Sequence, residues 1–153
     1  MKILVSACLL GENCKYSGGN NYNQAVCDFA RGHQVVPVCP EVLGGLPTPR
    51  CPAEIVQGVV TNKEGINVDR EFRAGAAKAL AIAKENGVEL AILQSRSPSC
   101  GVKEIYDGTF SETKIPGQGV FAKMLMDEGV RVLDAGELHR IILKNEDGKC
   151  QSD

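Results

Sequence analysis

The chain has 153 residues, a formal net charge of −2, and a composition that is 43% hydrophobic and 24% charged. This balance is typical of a globular domain with a packed core and excludes a disordered or fibrous chain. A strongly basic surface of the kind that binds DNA through its phosphates is not predicted. No run of about 18 apolar residues is present, so no membrane-spanning helix is expected.

Seven cysteines are a high number for a chain of this length. The first residues, Met1-Lys2-Ile3, lead into a predicted strand rather than a signal peptide, so we expect a cytoplasmic protein with reduced thiols. In that compartment, cysteines indicate metal binding or thiol chemistry more often than a disulfide framework. One domain is predicted over residues 1–146, followed by a polar tail over 147–153.

Short apolar strands alternate with helices along the chain. Strands are predicted at residues 3–5, 35–38, 89–94 and 130–133, and helices at 22–31, 70–86 and 118–128, with a last helix marked by Leu138, Ile141 and Ile142. Asp69 and Asp134 are predicted N-caps. This alternation predicts an α/β fold, a three-layer Rossmann-like sandwich with a mainly parallel four-stranded sheet in the order 2-1-3-4.

Three segments interrupt this alternation. Residues 40–52 contain three prolines after Pro40 and a Gly-Gly pair, which predict a shaped loop without regular structure. Small hairpin excursions are predicted at residues 53–62 and around Asp107-Gly108, a dipeptide typical of hairpin turns. We expect both excursions to lie beside the main sheet.

Three cysteines each follow the end of a predicted strand: Cys8, Cys39 and Cys100. The carboxyl ends of parallel strands meet at one edge of the sheet, where ligands bind in open α/β folds. Adjacent strands lie about 4.8 Å apart, so thiols from three neighbouring strands can approach each other. The spacing of these cysteines leaves two interpretations open, a metal centre or ordinary buried cysteines that act as small apolar side chains.

Three strings of residues give a more specific indication. They are SACLLG at 6–11, CPE at 39–41 followed by GLPTPR at 45–50, and SRSPSCG at 95–101. Together they resemble a bacterial domain-of-unknown-function family that includes the TudS-type thiouracil desulfidases. The resemblance extends from about Lys2 to Leu143, which is nearly the whole chain.

The resemblance implies an oxygen-sensitive 4Fe–4S cluster held by only three cysteines, which match Cys8, Cys39 and Cys100 here. One iron would then be free to take the sulfur of a thiolated pyrimidine such as thiouracil, and hydrogen sulfide would be released without net redox change. Such a cluster is easily lost, so aerobically prepared protein can lack it or hold another metal in its place. The family often has other residues at the positions of Cys14 and Cys51, so these two are weaker ligand candidates.

Five side chains near the three cysteines in sequence could take part in this chemistry. Glu41 is the candidate base that activates water, and Ser97 is a second candidate catalytic residue. Ser99, Arg50 and Tyr16 are candidate substrate-binding residues, through hydrogen bonds, a planar guanidinium and a stacking wall. Each also has a structural interpretation: a cap for Glu41, turn formation for the serines, a surface salt bridge for Arg50 and a plain loop for Tyr16.

Two other classes of protein compete with the desulfidase hypothesis. A structural or regulatory metal protein, with zinc or an iron–sulfur cluster, would close its coordination with Cys14 or Cys51 and release no sulfide. A thiol-redox protein would need a Cys-x-x-Cys pair, which the sequence lacks. The sequence predicts no oligomeric state and leaves open whether the pyrimidine is a free base or a nucleoside.

Overall fold

The computed structural model describes residues 1–138. Its strands are β1 Lys2–Ser6, β2 Gln34–Val38, β3 Ala53–Val56, β4 Val59–Asn62, β5 Leu90–Leu93, β6 Glu104–Tyr106, β7 Lys114–Pro116 and β8 Arg131–Asp134. Its helices are α1 Gln24–Ala30, α2 Pro40–Leu43, α3 Asp69–Glu85 and α4 Val120–Asp127. A 3-10 turn, Ala7–Leu10, follows β1 directly, and the chain is again helical at 135–138. In these 138 residues no helix is long and apolar enough to cross a membrane.

Four parallel strands form the central sheet in the order β2-β1-β5-β8. Numbered among themselves these strands have the order 2-1-3-4, so the predicted topology is confirmed. Ile3 of β1 pairs with Val35 on one side and with Leu90 on the other. The inner strands β1 and β5 are apolar almost throughout, as expected of parallel strands that are covered on both faces.

Two separate apolar clusters cover the two faces of this sheet. Because successive strand residues point to opposite faces, Leu4 packs on one side while Ile3 and Val5 pack on the other. The cluster around Leu4 includes the buried side chains of α3 and α4: Phe72, Ala76, Ala79, Ala83, Phe121, Ala122 and Leu125. The cluster around Ile3 includes Val26 of α1 and Leu138. The layers are therefore helix, sheet and helix, which confirms the predicted three-layer fold.

The predicted role of Asp69 as an N-cap is wrong. Asp69 is the first residue of α3, and the cap position is held by Val68. The Asp69 carboxylate accepts hydrogen bonds from the backbone N–H of Val60 at 2.9 Å and from Nε of Arg73 at 2.7 Å. These two bonds outweigh the effect of partial burial and lower the pKa of Asp69, and they attach β4 to the start of α3. Side-chain caps are found at Asn23, before α1, and at the predicted Asp134, which accepts the N–H of Gly136 at the start of the helical residues 135–138.

The three segments that interrupt the alternation agree with the prediction only in part. The segment expected to lack regular structure contains α2, a helical turn that begins at Pro40, because proline is favourable in the first turn of a helix. The hairpin at 53–62 is confirmed as the antiparallel pair β3 and β4. The second excursion is also antiparallel, but its strands β6 and β7 are joined by residues 107–113 rather than by a two-residue turn at Asp107-Gly108.

The end of the chain is described only as far as residue 138. Asp134 is the last residue of β8, and its carboxylate accepts a hydrogen bond from the N–H of Gly136 at the start of the helical residues 135–138. Ile141, Ile142, the predicted boundary between residues 146 and 147, and the predicted tail at 147–153 lie outside the described residues.

Helix α2 packs very closely against α3 through two glycines. A Cβ atom added to Gly75 would collide with the carbonyl oxygen of Pro40, and one added to Gly44 would collide with that of Glu71. We therefore expect Gly75→Ala to destabilise the protein by about 1–3 kcal/mol, as overpacking does, although alanine normally favours a helix. Urea unfolding measures this change.

The matched control for that substitution is Ala77→Gly at an exposed position of the same helix. Glycine there is expected to cost about 0.5–1 kcal/mol, the ordinary helix penalty. A Gly75→Ala protein as stable as the wild type, or more stable, would contradict the close approach of α2 and α3.

Candidate active site

The structure places the three predicted cluster ligands in the wall of one cavity of about 660 Å³ at the carboxyl edge of the sheet. Cys8 lies in the turn after β1, Cys39 occupies the cap position of α2 directly after β2, and Cys100 lies in the loop after β5. Cys14 lines the same cavity. All six cysteines in residues 1–138 are free thiols.

Burial raises the pKa of two of these thiols, Cys8 and Cys100, and so favours their protonated forms in the absence of a ligand. Burial raises the pKa of Cys100 to about 12, against hydrogen bonds from Ser6 and Ser99 that lower it. Burial also raises the pKa of Cys8, partly offset by the side-chain N–H of Asn21, which lies 3.4 Å from its sulfur. A metal centre would have to displace these protons, since thiolates rather than thiols bind iron.

The thiol donors in the cavity wall fit an iron–sulfur cluster. Soft thiolates suit cluster iron, and a cavity of about 660 Å³ leaves room for bridging sulfides. Within residues 1–138, no group of three or more His, Cys, Asp and Glu side chains surrounds one single-ion position. Thiolates bound to one zinc would all lie about 2.3 Å from a common point, whereas cluster ligands bind different irons and are spread around a larger centre.

Glu41 is the centre of a hydrogen-bond network on the same cavity wall. Its Oε1 accepts a bond from Nε of Arg50 at 3.1 Å. Its Oε2 accepts bonds from Oγ of Ser99 at 2.9 Å and from Oγ of Ser97 at 3.4 Å. Both members of the ion pair are shielded from water, with side chains 15% exposed for Glu41 and 7% for Arg50. The carboxylate is therefore held in one orientation beside Cys39.

Arg50 connects the cavity loops rather than forming a surface salt bridge. Besides Glu41, its guanidinium donates to the carbonyl oxygen of Cys14 at 2.9 Å and to that of Pro47 at 3.2 Å. Its backbone N–H donates to the carbonyl oxygen of Tyr16 at 2.7 Å. The donors of Arg50 are thus largely occupied by the protein itself, so its geometry is that of a positioning residue.

The two predicted serines both face Glu41 and also shape the loop that carries Cys100. Ser97 Oγ accepts the backbone N–H groups of Ser99 and Cys100, each at 3.1 Å, and lies 2.9 Å from Ser99 Oγ. Ser99 is 1% exposed, and its Oγ lies 3.7 Å from the sulfur of Cys100. These serines therefore link the carboxylate to a proposed cluster ligand.

Tyr16 lines the cavity but is 43% exposed, and Nζ of Lys15 lies 5.6 Å from the centre of its ring. Sequence reasoning missed the part of the wall that comes from the excursions: Glu54, Tyr106, Phe110, Ser111 and Glu112. No pattern of residues associates these side chains with the cysteines. The Asp107-Gly108 dipeptide predicts a turn, but it does not predict that the residues after it line the cavity.

Comparisons with known proteins identify the family of the chain. Residues 3–137 match the family described as 2-thiouracil desulfurase. The uncharacterized protein YbbK of Bacillus subtilis (strain 168) is 41% identical over 150 residues, covering 92% of this chain and 99% of that protein. The solved structure of the [4Fe-4S]-dependent thiouracil desulfidase TudS is 36% identical, with a TM-score of 0.85, and the match covers 95% of this chain and 97% of that one. The chain therefore belongs to the 2-thiouracil desulfurase family.

Proposed function

We propose that this protein is an iron–sulfur-dependent desulfidase that removes sulfur from thiolated pyrimidines such as thiouracil and releases it as hydrogen sulfide. One observation carries the proposal: three cysteines and an oriented carboxylate, Glu41, line the same cavity. Membership of the family supports a small thiolated substrate, and the similarity to TudS supports a 4Fe–4S cofactor. Free thiols throughout residues 1–138 are consistent with a reaction in the reducing cytoplasm.

Cys8, Cys39 and Cys100 would hold the cluster in this proposal. When bound by three thiolates, a 4Fe–4S cluster supplies one iron without a protein ligand, a Lewis acid with affinity for sulfur. The buried position of Cys100 keeps bulk water away from one side of the centre. The hydroxyl of Ser6, whose oxygen accepts the N–H of Gln94 and whose proton is free to donate, lowers the pKa of Cys100 and stabilises its thiolate form.

Glu41 is the proposed general base. Its carboxylate takes a proton from a water molecule whose oxygen adds to the carbon of the C=S bond. Arg50 and the hydroxyl of Ser99 hold the carboxylate in one orientation in the cavity wall. The C–S bond breaks with its electron pair on sulfur, which leaves as hydrosulfide. Water and a thiocarbonyl thus become a carbonyl and hydrogen sulfide, and no external oxidant or reductant is consumed.

The experiment that tests the proposal is anaerobic reconstitution of the protein with iron and sulfide, followed by incubation with 2-thiouracil and 4-thiouracil. We expect about four irons per chain and release of equal amounts of sulfide and uracil. Iron binding without sulfide release from either compound would support the cluster but show that thiouracil is not the substrate. Failure to bind iron would refute the metal centre itself.

A second candidate, a structural metal protein with four cysteine ligands, has one observation in its favour. Cys14 lines the cavity, and the sulfur of Cys39 lies 3.9 Å from its carbonyl oxygen. Cys51 is not among the residues that line the cavity in the described part of the chain. The two candidates differ in what the Cys14 thiol does, and that difference can be measured.

We expect Cys14→Ser to retain about four irons per chain and the activity of the wild type, because three thiolates suffice in the desulfidase. Iron content and sulfide release after anaerobic reconstitution are the measurements, and Cys51→Ser is the matched control. Loss of iron in Cys14→Ser alone would support the closed four-cysteine site instead.

A further inference from the structure

The excursion that follows Cys100 closes part of the cavity. Its two strands, β6 and β7, are joined by residues 107–113, and three consecutive residues of this connection line the cavity: Phe110, Ser111 and Glu112. Tyr106, at the end of β6, also lines it. The other residues that line the cavity are of mixed polarity, and among the lining residues of the described chain Phe110 has the one aromatic ring without a polar atom.

The backbone of this connection is held in an unfavourable conformation. Among residues 1–138, the non-glycine residues with positive φ are Gln57, Arg96, Phe110 and Glu112, and all except Gln57 line the cavity. Phe110 has a φ of 57°, which is rare for a bulky side chain. Strain of this kind persists only where surrounding contacts maintain it, and it is commonly found at ligand sites.

Glu54 of β3 supplies those contacts. One carboxylate oxygen, Oε1, accepts the backbone N–H of Gly108 at 3.0 Å and that of Phe110 at 3.1 Å. Gly108 lies so close to β3 that a Cβ atom there would be 2.7 Å from the carbonyl oxygen of Ile55. Glu54 therefore fixes the strained connection, and with it the Phe110 ring, against the first excursion.

We propose that Phe110 is a specificity residue that stacks on the ring of the substrate, and that Glu54 is its positioning residue. The inference rests on the proposed function and deepens it, because it requires the substrate to be a flat aromatic ring rather than any small thiocarbonyl compound. Stacking of a base on an aromatic side chain is favourable and tolerant of ring substituents. Tyr16 is 43% exposed whereas Phe110 is half-buried, so Phe110 is the better shielded ring for stacking.

The test compares two product-like probes that differ in flatness, uracil and 5,6-dihydrouracil, by calorimetric titration of the reconstituted protein. Both carry the same carbonyl and N–H groups, but only uracil has a planar aromatic ring. We expect the wild type to prefer uracil by about tenfold, and Phe110→Leu to lose most of that preference while Phe110→Tyr keeps it. If Phe110 had a purely structural role, Phe110→Leu would weaken the binding of both probes equally, and that result would overturn the inference.

Glu54 variants test the positioning role. Glu54→Ala is expected to reduce the preference for uracil as Phe110→Leu does, and the double variant is expected to be no worse than either single one. Glu54→Gln retains an amide oxygen that can accept both N–H groups, so it should restore the preference. Gln57→Ala, at the positive-φ position outside the cavity, is the control and should bind as the wild type does.

The outcomes separate this inference from the proposed function, since binding is measured with probes that carry no sulfur. A wild type that prefers uracil but releases no sulfide from thiouracil would refute the desulfidase and support the ring-stacking site. A wild type without preference between uracil and dihydrouracil, or a Phe110→Leu protein with the full preference, would overturn the ring-stacking site whatever the activity.

Discussion

Cys100→Ala is expected to abolish both cluster binding and sulfide release. Cys100 is 4% exposed, so neither water nor an exposed side chain can readily replace its thiolate. Two remaining thiolates cannot hold a cluster that already lacks a fourth protein ligand. Iron content after anaerobic reconstitution should fall from about four irons per chain to near zero, and no sulfide should form from 2-thiouracil.

The fold should survive this substitution. Removal of one buried sulfur leaves a small cavity that is expected to cost on the order of 1 kcal/mol, which urea unfolding of the cluster-free proteins measures. Cys27→Ala is the matched control, because Cys27 lies on α1 with its sulfur near the carbonyl oxygen of Leu9. A Cys100→Ala protein with wild-type iron content would remove Cys100 from the ligand set.

Glu41→Gln is expected to lower the rate of sulfide release by about 10²- to 10⁴-fold, the usual contribution of a general base. Glutamine is nearly isosteric, and its amide oxygen can still accept the hydrogen bond from Arg50. The iron content should therefore remain that of the wild type. Single-turnover sulfide release under anaerobic conditions measures the effect, because it isolates the chemical step from product release.

The control for this substitution removes a carboxylate far from the cavity. Asp28→Asn on α1 breaks an exposed ion pair with Arg31 and should change neither iron content nor rate. If Glu41→Gln retained its cluster and at least a third of the wild-type rate, Glu41 would not be the base. Ser97 would then be the next residue to replace, since it shares the same hydrogen-bond network.

The sheet and the convergence of the three cysteines could be predicted because both depend on local patterns. Each strand of the sheet is a short apolar run, and each cysteine lies in the turn or loop that follows such a run, so the parallel topology determines where the thiols meet. The position of Glu41 followed from its separation of two residues from Cys39. Its partners did not, since Ser99 is 58 residues away in the chain.

The remaining features depend on tertiary contacts that no local pattern records. The bond from Phe110 to Glu54 joins residues 56 positions apart and sets the conformation of a connection that resembles an ordinary turn in sequence. Helix α2 forms in a segment rich in proline and glycine because Gly44 and Gly75 allow it to approach α3. Asp69 has the residue type of a cap, yet its carboxylate is used by β4 and Arg73 instead.

Helix α2 carries Cys39 at its cap position and Glu41 in its first turn, and α3 holds this short helix in place. A proposed cluster ligand and the proposed base therefore move as one rigid unit. The excursion that carries Phe110 is built from other strands and contacts the cavity separately. Substitutions or insertions between β6 and β7 can consequently alter which molecules enter the cavity, while the spacing between the proposed metal centre and the proposed base stays constant. This separation of the two structural units allows the substrate range to diverge among relatives without loss of the reaction.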